Sequence, residues 1–264
     1  MSSEVLIASC GLVPYDDARA AQDVLRAARQ QGRIPDVLLL LEHPPVYTRG
    51  RRTDPAELPM GVQWYEAQGI AVRDTDRGGR VTYHGPGQLV AYPIVALQPY
   101  GGDVHEYVRR MERVMIGALA DHGVGAGTIA GLTGVWTAAG AVAPAADATA
   151  ETVAAPVAEG RVRKIGSIGI HVSRGVTTHG LAVNVSNDLQ PFEWIVPCGI
   201  DGCRMTSVTR ELGAEQEMDS FAASLTNRFA EVYERLPVPV SASELAERAG
   251  GGSSLPIGEA GALR

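Results

Sequence analysis

Lysine is nearly missing from this chain. Of its 23 basic residues only Lys164 is lysine; the rest are arginine. Arginine does not give up its proton in a protein, whereas lysine does when its surroundings depress its pKa. A chain that uses arginine almost everywhere a cation is wanted, and keeps one amine, singles that amine out. The alternative is one survivor of a coding bias. Cysteine is scarce too: Cys10, Cys198 and Cys203 are too few and too irregular for a disulfide framework. A reducing, cytoplasmic setting is therefore expected. Cys198 and Cys203 are five apart, with no second pair or histidine at zinc spacing, which argues against a metal site. No apolar run approaches the roughly 18 residues that span a bilayer. The start, MSSEVLIASCGLVPYDD, lacks the basic stretch of a secretory signal. A positive balance is absent as well: 23 basic residues face 30 acidic ones, for a net charge of −7, which argues against general nucleic-acid binding.

What is present suits a soluble globular domain: 264 residues, 45% hydrophobic and 20% charged. Residues 4–10 read as a strand. Asp16 and Asp17 open a helix with Ala21, Val24, Leu25 and Ala28 on one face, stopped by Gly32. The unbroken apolar run at 36–42 reads as a buried central strand. Short strands are expected at 46–48, 70–75, 80–83 and 88–97, with a short helix at 62–68. Asp103 and Glu106 form a capping-box pattern ahead of a helix whose stripe runs Val104, Tyr107, Val108, Met111, Val114, Met115, Ala118 and Leu119. Gly134-Val-Trp136 suggests a brief strand. Two further strands, 162–172 and 176–185, meet at Ser173-Arg-Gly175 as a hairpin. A last helix is expected at 216–235, with Met218, Phe221, Leu225, Phe229 and Val232 inward. Residues 138–160 are alanine-rich without aromatics, as in a flexible surface insertion. The division expected is one catalytic domain over 1–240 and a mobile tail over 241–264. Strands and helices in mixed order imply an α+β fold: a mixed β-sheet with flanking helices.

Four segments carry chemistry. Arg77-Gly-Gly-Arg-Val-Thr-Tyr-His84-Gly-Pro-Gly87 puts four glycines, an imidazole and two arginines into eleven residues, as a ligand-receiving site would. It is not a phosphate-binding P-loop. In Lys164-Ile-Gly-Ser-Ile-Gly169, two glycines inside a strand signal close approach by a ligand or another backbone. Alternation places Lys164, Gly166 and Ile168 on one face and Ile165, Ser167 and Gly169 on the other. Arg161 and Arg163 would help to lower the pKa of Lys164. His179-Gly-Leu-Ala-Val-Asn184 lies on the partner strand. In Pro197-Cys198-Gly199, the glycine leaves the amide after Cys198 open to stabilise an oxyanion, and a thiolate would be the nucleophile. A small buried hydrophobe for Cys198 and an exposed strand residue for Lys164 are the plain alternatives. His43, His105, His122 and His171 read as structural or exposed.

Together, in this order, these segments resemble the octanoyl-ACP:protein N-octanoyltransferases, the lipoate–protein ligase B family, over about Leu38 to Leu212. The resemblance implies a biotin/lipoate protein ligase-like catalytic domain. It implies Cys198 as acyl-thioester nucleophile with Lys164 as its paired acid and base. It implies a substrate pocket on Arg77, Gly78, Gly79, Arg80, Val81, Thr82, Tyr83 and His84, on Ser167, Ile168 and Gly169, and on Gly180, Leu181 and Ala182. No cofactor or metal is implied beyond the phosphopantetheine-linked octanoyl thioester as substrate. The implied partners are octanoyl-acyl carrier protein and the lipoyl domains of 2-oxoacid dehydrogenase E2 subunits and the glycine cleavage H protein, with no nucleic acid, no membrane and a monomeric enzyme. Such partners are acidic, and the arginine clusters would dock them. Two other readings fit the same residues. One is an ATP-dependent lipoate–protein ligase, which needs a lysine but no cysteine nucleophile. The other is an inactive module that binds acylated carriers or lipoyl domains.

Overall fold

The apolar run Asp36–Glu42 forms β2, a strand buried along its whole length. It lies between β1 (Glu4–Leu12), to which it is parallel, and β6 (Gln88–Ile94), to which it is antiparallel. Alternation then sends Leu38 and Leu40 into one core and Leu39 and Leu41 into another, on opposite faces of the sheet. The computed structural model describes residues 4–138, 162–197, 202–250 and 255–257.

The main sheet runs on from β6 through β10 (Val176–Asn184), β9 (Val162–Ser173), β8 (Leu132–Ala138) and β7 (Gly127–Ile129), all antiparallel to their neighbours. At its other end β12 (Leu236–Pro239) pairs parallel with β1. The two-residue β11 (Arg204–Met205) lies parallel to the start of β9, beyond the end of β10. On one face lie α3 (Val104–Asp121) and α6 (Met218–Tyr233), joined by Tyr107, Met111, Met115, Phe221 and Phe229. On the other lie α1 (Tyr15–Gln30) and α7 (Ala242–Arg248). A second sheet of β3 (Val46–Arg49), β4 (Ala71–Asp74) and β5 (Thr82–His84) covers one end. With α2 (Val62–Ala67) and α4 (Gln190–Glu193) it closes an aromatic core around Tyr47, Tyr65, Tyr83 and Phe192. The short helix α5 (Val208–Leu212) follows β11. The expected α+β architecture with helices flanking a mixed sheet is the observed one.

Several local expectations change. Val24 and Val104 are exposed, not core residues. Asp103 caps α3 by accepting from His105 N, but Glu106 does not complete a capping box; it binds Arg109, Arg110 and Arg113 instead. Three cations outcompete one backbone amide for that carboxylate. Along β9 the strict alternation fails. Pairing with β8 jumps from Trp136–Lys164 to Val135–Gly166, leaving Ile165 as an extra residue. Ile165 and Ile168, three apart, consequently pack into the same core. Residues 241–250 and 255–257 are not a loose tail. Ser241 caps α7 with a full capping box, Leu245 is completely buried, and Leu255 and Ile257 join the same core. The alanine-rich insertion lies outside the described residues apart from Ala138, which ends β8. Among the described residues, no helix is long and apolar enough to cross a membrane.

Candidate active site

A cavity of about 380 Å³ opens between the 77–84 segment and the strands β9 and β10. That size is ordinary for a small-molecule site, which spans roughly 300–1,000 Å³. Val81, Val108, Leu132, Ile168, Ile170 and Leu181 give it an apolar lining, and Lys164, His84 and Arg52 interrupt that lining with polar groups. All the pocket residues expected from the sequence line it except Tyr83. The exception follows from strand alternation: Thr82 and His84 face the cavity, while Tyr83 points the opposite way into the aromatic core against Tyr47 and Phe192.

Lys164 stands at the start of β9, where β8 flanks one edge and β11 the other. Only 4% of it is exposed, yet it reaches the cavity. Its ammonium donates to Thr133 O at 3.0 Å and lies 5.2 Å from the centre of the Trp136 ring, a cation–π distance. Behind it is Glu112 of α3, buried, whose Oε1 accepts the Gly134 amide at 3.0 Å. Burial raises the Glu112 pKa, opposed by the Gly134 hydrogen bond and the charge of Lys164. Glu112 carried a readable signal that went unused: on α3 it sits on the apolar stripe, four residues after Val108 and three before Met115. Thr133 and Trp136 carried none, because only sheet pairing brings them to Lys164.

The arginines expected to act on Lys164 or on a partner have other work. Arg163 is held by Glu211 at 3.0 Å, and Arg161 lies outside the described residues. Arg49 pairs with Asp74, Arg73 with Asp16, and Arg80 with Glu57. Arg77 is buried and grips Thr48 through both its carbonyl and its hydroxyl. Arg51 and Arg52 stay exposed, with Arg52 on the cavity wall. The strand glycines also serve the protein itself. A Cβ on Gly166 would meet Met115 Sδ at 2.7 Å, one on Gly169 would meet Arg77 Cδ at 2.9 Å, and one on Gly180 would collide with Ala91 O. They admit a helix side chain, a buried arginine and the neighbouring strand.

A polar cluster lies behind His84 and His179 of the cavity wall. His43 is fully buried between Val13 O and the Tyr92 hydroxyl, and burial lowers its pKa to about 4. His179 Nε2 binds Asp76 Oδ1 at 2.8 Å; burial lowers the histidine, and that hydrogen bond holds the Asp76 carboxyl well below the usual carboxylate range. His179 has a φ of +58°, a strained conformation for a residue with a side chain, and its amide is captured by Gln22 Oε1. His84 Nδ1 lies 2.7 Å from Gln88 Oε1. Gln88 continues to Asn184, and Asn184 to Thr206 O, which ties the glycine-rich turn and β10 to the strand beside Lys164.

Cys198 lies outside the described residues. Pro197, just before it in sequence, is buried, and Met205, seven residues after it, sits in register with Lys164.

The model of the lipoyl protein ligase A/B catalytic domain matches residues 14–230. An octanoyltransferase of Solibacter usitatus is 42% identical over 85% of this chain and 90% of its own length. One of Chloroflexus aurantiacus is 43% identical over 84% and 91%. Among solved structures, a bi-partite lipoate protein ligase of Thermoplasma acidophilum aligns with a TM-score of 0.65, covering 95% of this chain and 91% of its own at 16% identity. A lipoate-protein ligase A bound with ATP gives 0.59, covering 98% and 99% at 14% identity. Identities that low speak for the fold alone, and the fold is that of the lipoate ligases. The sequence likeness goes further, and the chain belongs to the octanoyltransferases of the lipoyl protein ligase A/B catalytic-domain family.

Proposed function

We propose that this transferase moves an octanoyl group from the phosphopantetheine thioester of acyl carrier protein to a lysine of lipoyl domains, through a thioester on Cys198. One placement carries the reading beyond the family: the chain's sole lysine is buried, yet lines an apolar cavity sized for a small acyl chain. A buried ammonium with a carbonyl, an indole face and a carboxylate around it is held for use, because lysine is otherwise a solvent residue.

In the first half-reaction the Cys198 thiolate attacks the octanoyl carbonyl, and the bond to the pantetheine sulfur breaks. The Lys164 ammonium gives its proton to the departing thiolate. In the second, an amine of the acceptor attacks the acyl-cysteine. Lys164 takes the proton released, and Cys198 leaves as thiolate. An amide is more stable than a thioester, so neither ATP nor a cofactor enters. The lipoyl domains would be those of 2-oxoacid dehydrogenase E2 subunits and the glycine cleavage H protein. The exposed Arg52 on the cavity wall, with exposed Arg51 beside it in sequence, offers acidic carriers a contact. A reducing cytoplasm keeps Cys198 a thiol.

The test is intact mass after incubation with octanoyl-acyl carrier protein alone. One octanoyl adduct is expected, lost in Cys198→Ser, with transfer to a lipoyl domain requiring no ATP. Lys164→Arg should fold and transfer at no more than about a hundredth of the normal rate, since arginine cannot cycle a proton. Active enzyme that never shows the adduct would overturn the two-step scheme.

A further inference from the structure

The cavity wall holds a histidine whose tautomer follows from its neighbours. Two backbone carbonyls anchor the deduction, because a carbonyl oxygen only accepts. The Asn184 amide nitrogen donates to Thr206 O at 3.0 Å, which leaves Asn184 Oδ1 as an acceptor. Gln88 Nε2 donates to that Oδ1 at 2.8 Å and to Tyr83 O at 3.2 Å, so its orientation is fixed twice. Gln88 Oε1 is then an acceptor, and His84 Nδ1, at 2.7 Å, must bring the proton. His84 is neutral: burial, with His43 and Arg77 beside it, holds its pKa well below 6.5. A neutral imidazole has a single N–H. With Nδ1 protonated, Nε2 carries a bare lone pair. Among the described residues Nε2 has no hydrogen-bond partner, it is not sealed from solvent, and His84 is one of the cavity-lining residues. The far end of the chain is also fixed, because Thr206 N donates to Lys164 O at 2.9 Å.

We propose that His84 Nε2 is a hydrogen-bond acceptor for a substrate N–H, and that the Gln88–Asn184–Thr206 chain holds the imidazole in the tautomer that makes it one. The assignment of that N–H rests on the octanoyl-transfer reading above. Two N–H groups then qualify: an amide of the donor's phosphopantetheine arm, and the amine of the acceptor lysine. The octanoyl chain has none to offer. The lone pair therefore reads the polar part of the substrate, while the apolar lining takes the acyl part.

Long-range proton–nitrogen NMR of the whole protein tests the tautomer without activity. The unprotonated ring nitrogen of His84 should be Nε2; a protonated Nε2 would overturn the proposal. Two substitutions then separate binding from support. His84→Asn keeps a group at the Nδ1 position for Gln88 and removes the cavity acceptor. His84→Gln carries an amide oxygen out to the Nε2 position. His84→Asn should slow transfer by about tenfold or more, the worth of one good hydrogen bond, and His84→Gln should recover part of it. Wild-type transfer in His84→Asn would sink the idea, since a merely structural histidine needs only its bond to Gln88. Acylation of Cys198 and transfer from pre-acylated enzyme are measured separately. A loss confined to the first assigns the pantetheine amide, and one confined to the second assigns the lysine amine. If the wild type never acylates Cys198 yet transfers, the two-step scheme has failed; if it transfers no octanoyl group at all, the octanoyl reading has failed; in either case the NMR result still decides the tautomer.

Discussion

Gly134 shows how tightly single residues constrain the lysine. Its φ of +115° suits glycine alone, and a Cβ there would lie 2.5 Å from Gly166 O and 2.8 Å from Lys164 Cε. Its amide is also the donor that Glu112 holds. Gly134→Ala should therefore cost about 2 kcal/mol in urea unfolding, through backbone strain and overpacking. It should lower transfer further than that loss of stability explains, because the methyl displaces the Lys164 stem. A variant matching the wild type in both measurements would mean that the close contact does not position Lys164. The sparing use of lysine acquires a structural counterpart here. The amine sits in a fitted site of carbonyl, indole and carboxylate, and an always-charged guanidinium placed there could not cycle a proton.

At the scale of elements, the C-terminal helix α7 decides whether the sheet face over α1 is complete. Leu245 is fully buried, and Ala242, Ala246, Leu255 and Ile257 pack with it. Leu245→Ala should cost about 3 kcal/mol by urea or thermal unfolding, within the range for a buried leucine truncated in a core. A cost under about 0.5 kcal/mol, as at surface positions, would mean the helix is not docked. This helix was readable in part: Ser241 and Glu244 spell a capping box. The glycines that follow drew attention to mobility instead. The β9 bulge was not readable at all, because an extra residue is defined only against the strand it pairs with.

For the whole molecule, buried neutral histidines predict acid sensitivity. Unfolded, His43 takes up a proton below 6.5; folded, it does not until about 4. The unfolded state therefore binds more protons across that window, and stability falls as pH drops through it. His43 alone should remove about 2 kcal/mol between pH 7 and pH 5, and His84 and His179, lowered by the same burial, act in the same direction. Most carboxylates are still ionised at pH 5, so urea unfolding over this range reports mainly the histidines, with Glu112, raised by burial, acting in the opposite direction. The Asp76 carboxyl, held low by His179, contributes stability that is lost only at more acid pH. A flat profile from pH 7 to pH 5 would show that the histidine cluster is hydrated, not buried.

Composition, apolar runs and turn residues determined most of the longer elements, the central strand 36–42, the β9–β10 hairpin and the α+β class, because those depend on local periodicity and local backbone preference. An ordered set of short motifs was enough to mark Lys164 and the residues now found around one cavity. Tertiary structure decided what distance in sequence hides. Glu112 and Thr133 meet near Lys164 only because α3 packs on the sheet edge at β8. The arginine clusters become internal ion pairs because acidic partners from remote segments reach them. The strand glycines prove to clear space for Met115, Arg77 and a neighbouring strand. The tautomer of His84 depends on carbonyls at Tyr83 and Thr206, and the second of these lies on a segment that periodicity cannot place. Local pattern is a property of neighbours in sequence; a hydrogen-bond chain or a fitted amine is a property of neighbours in space.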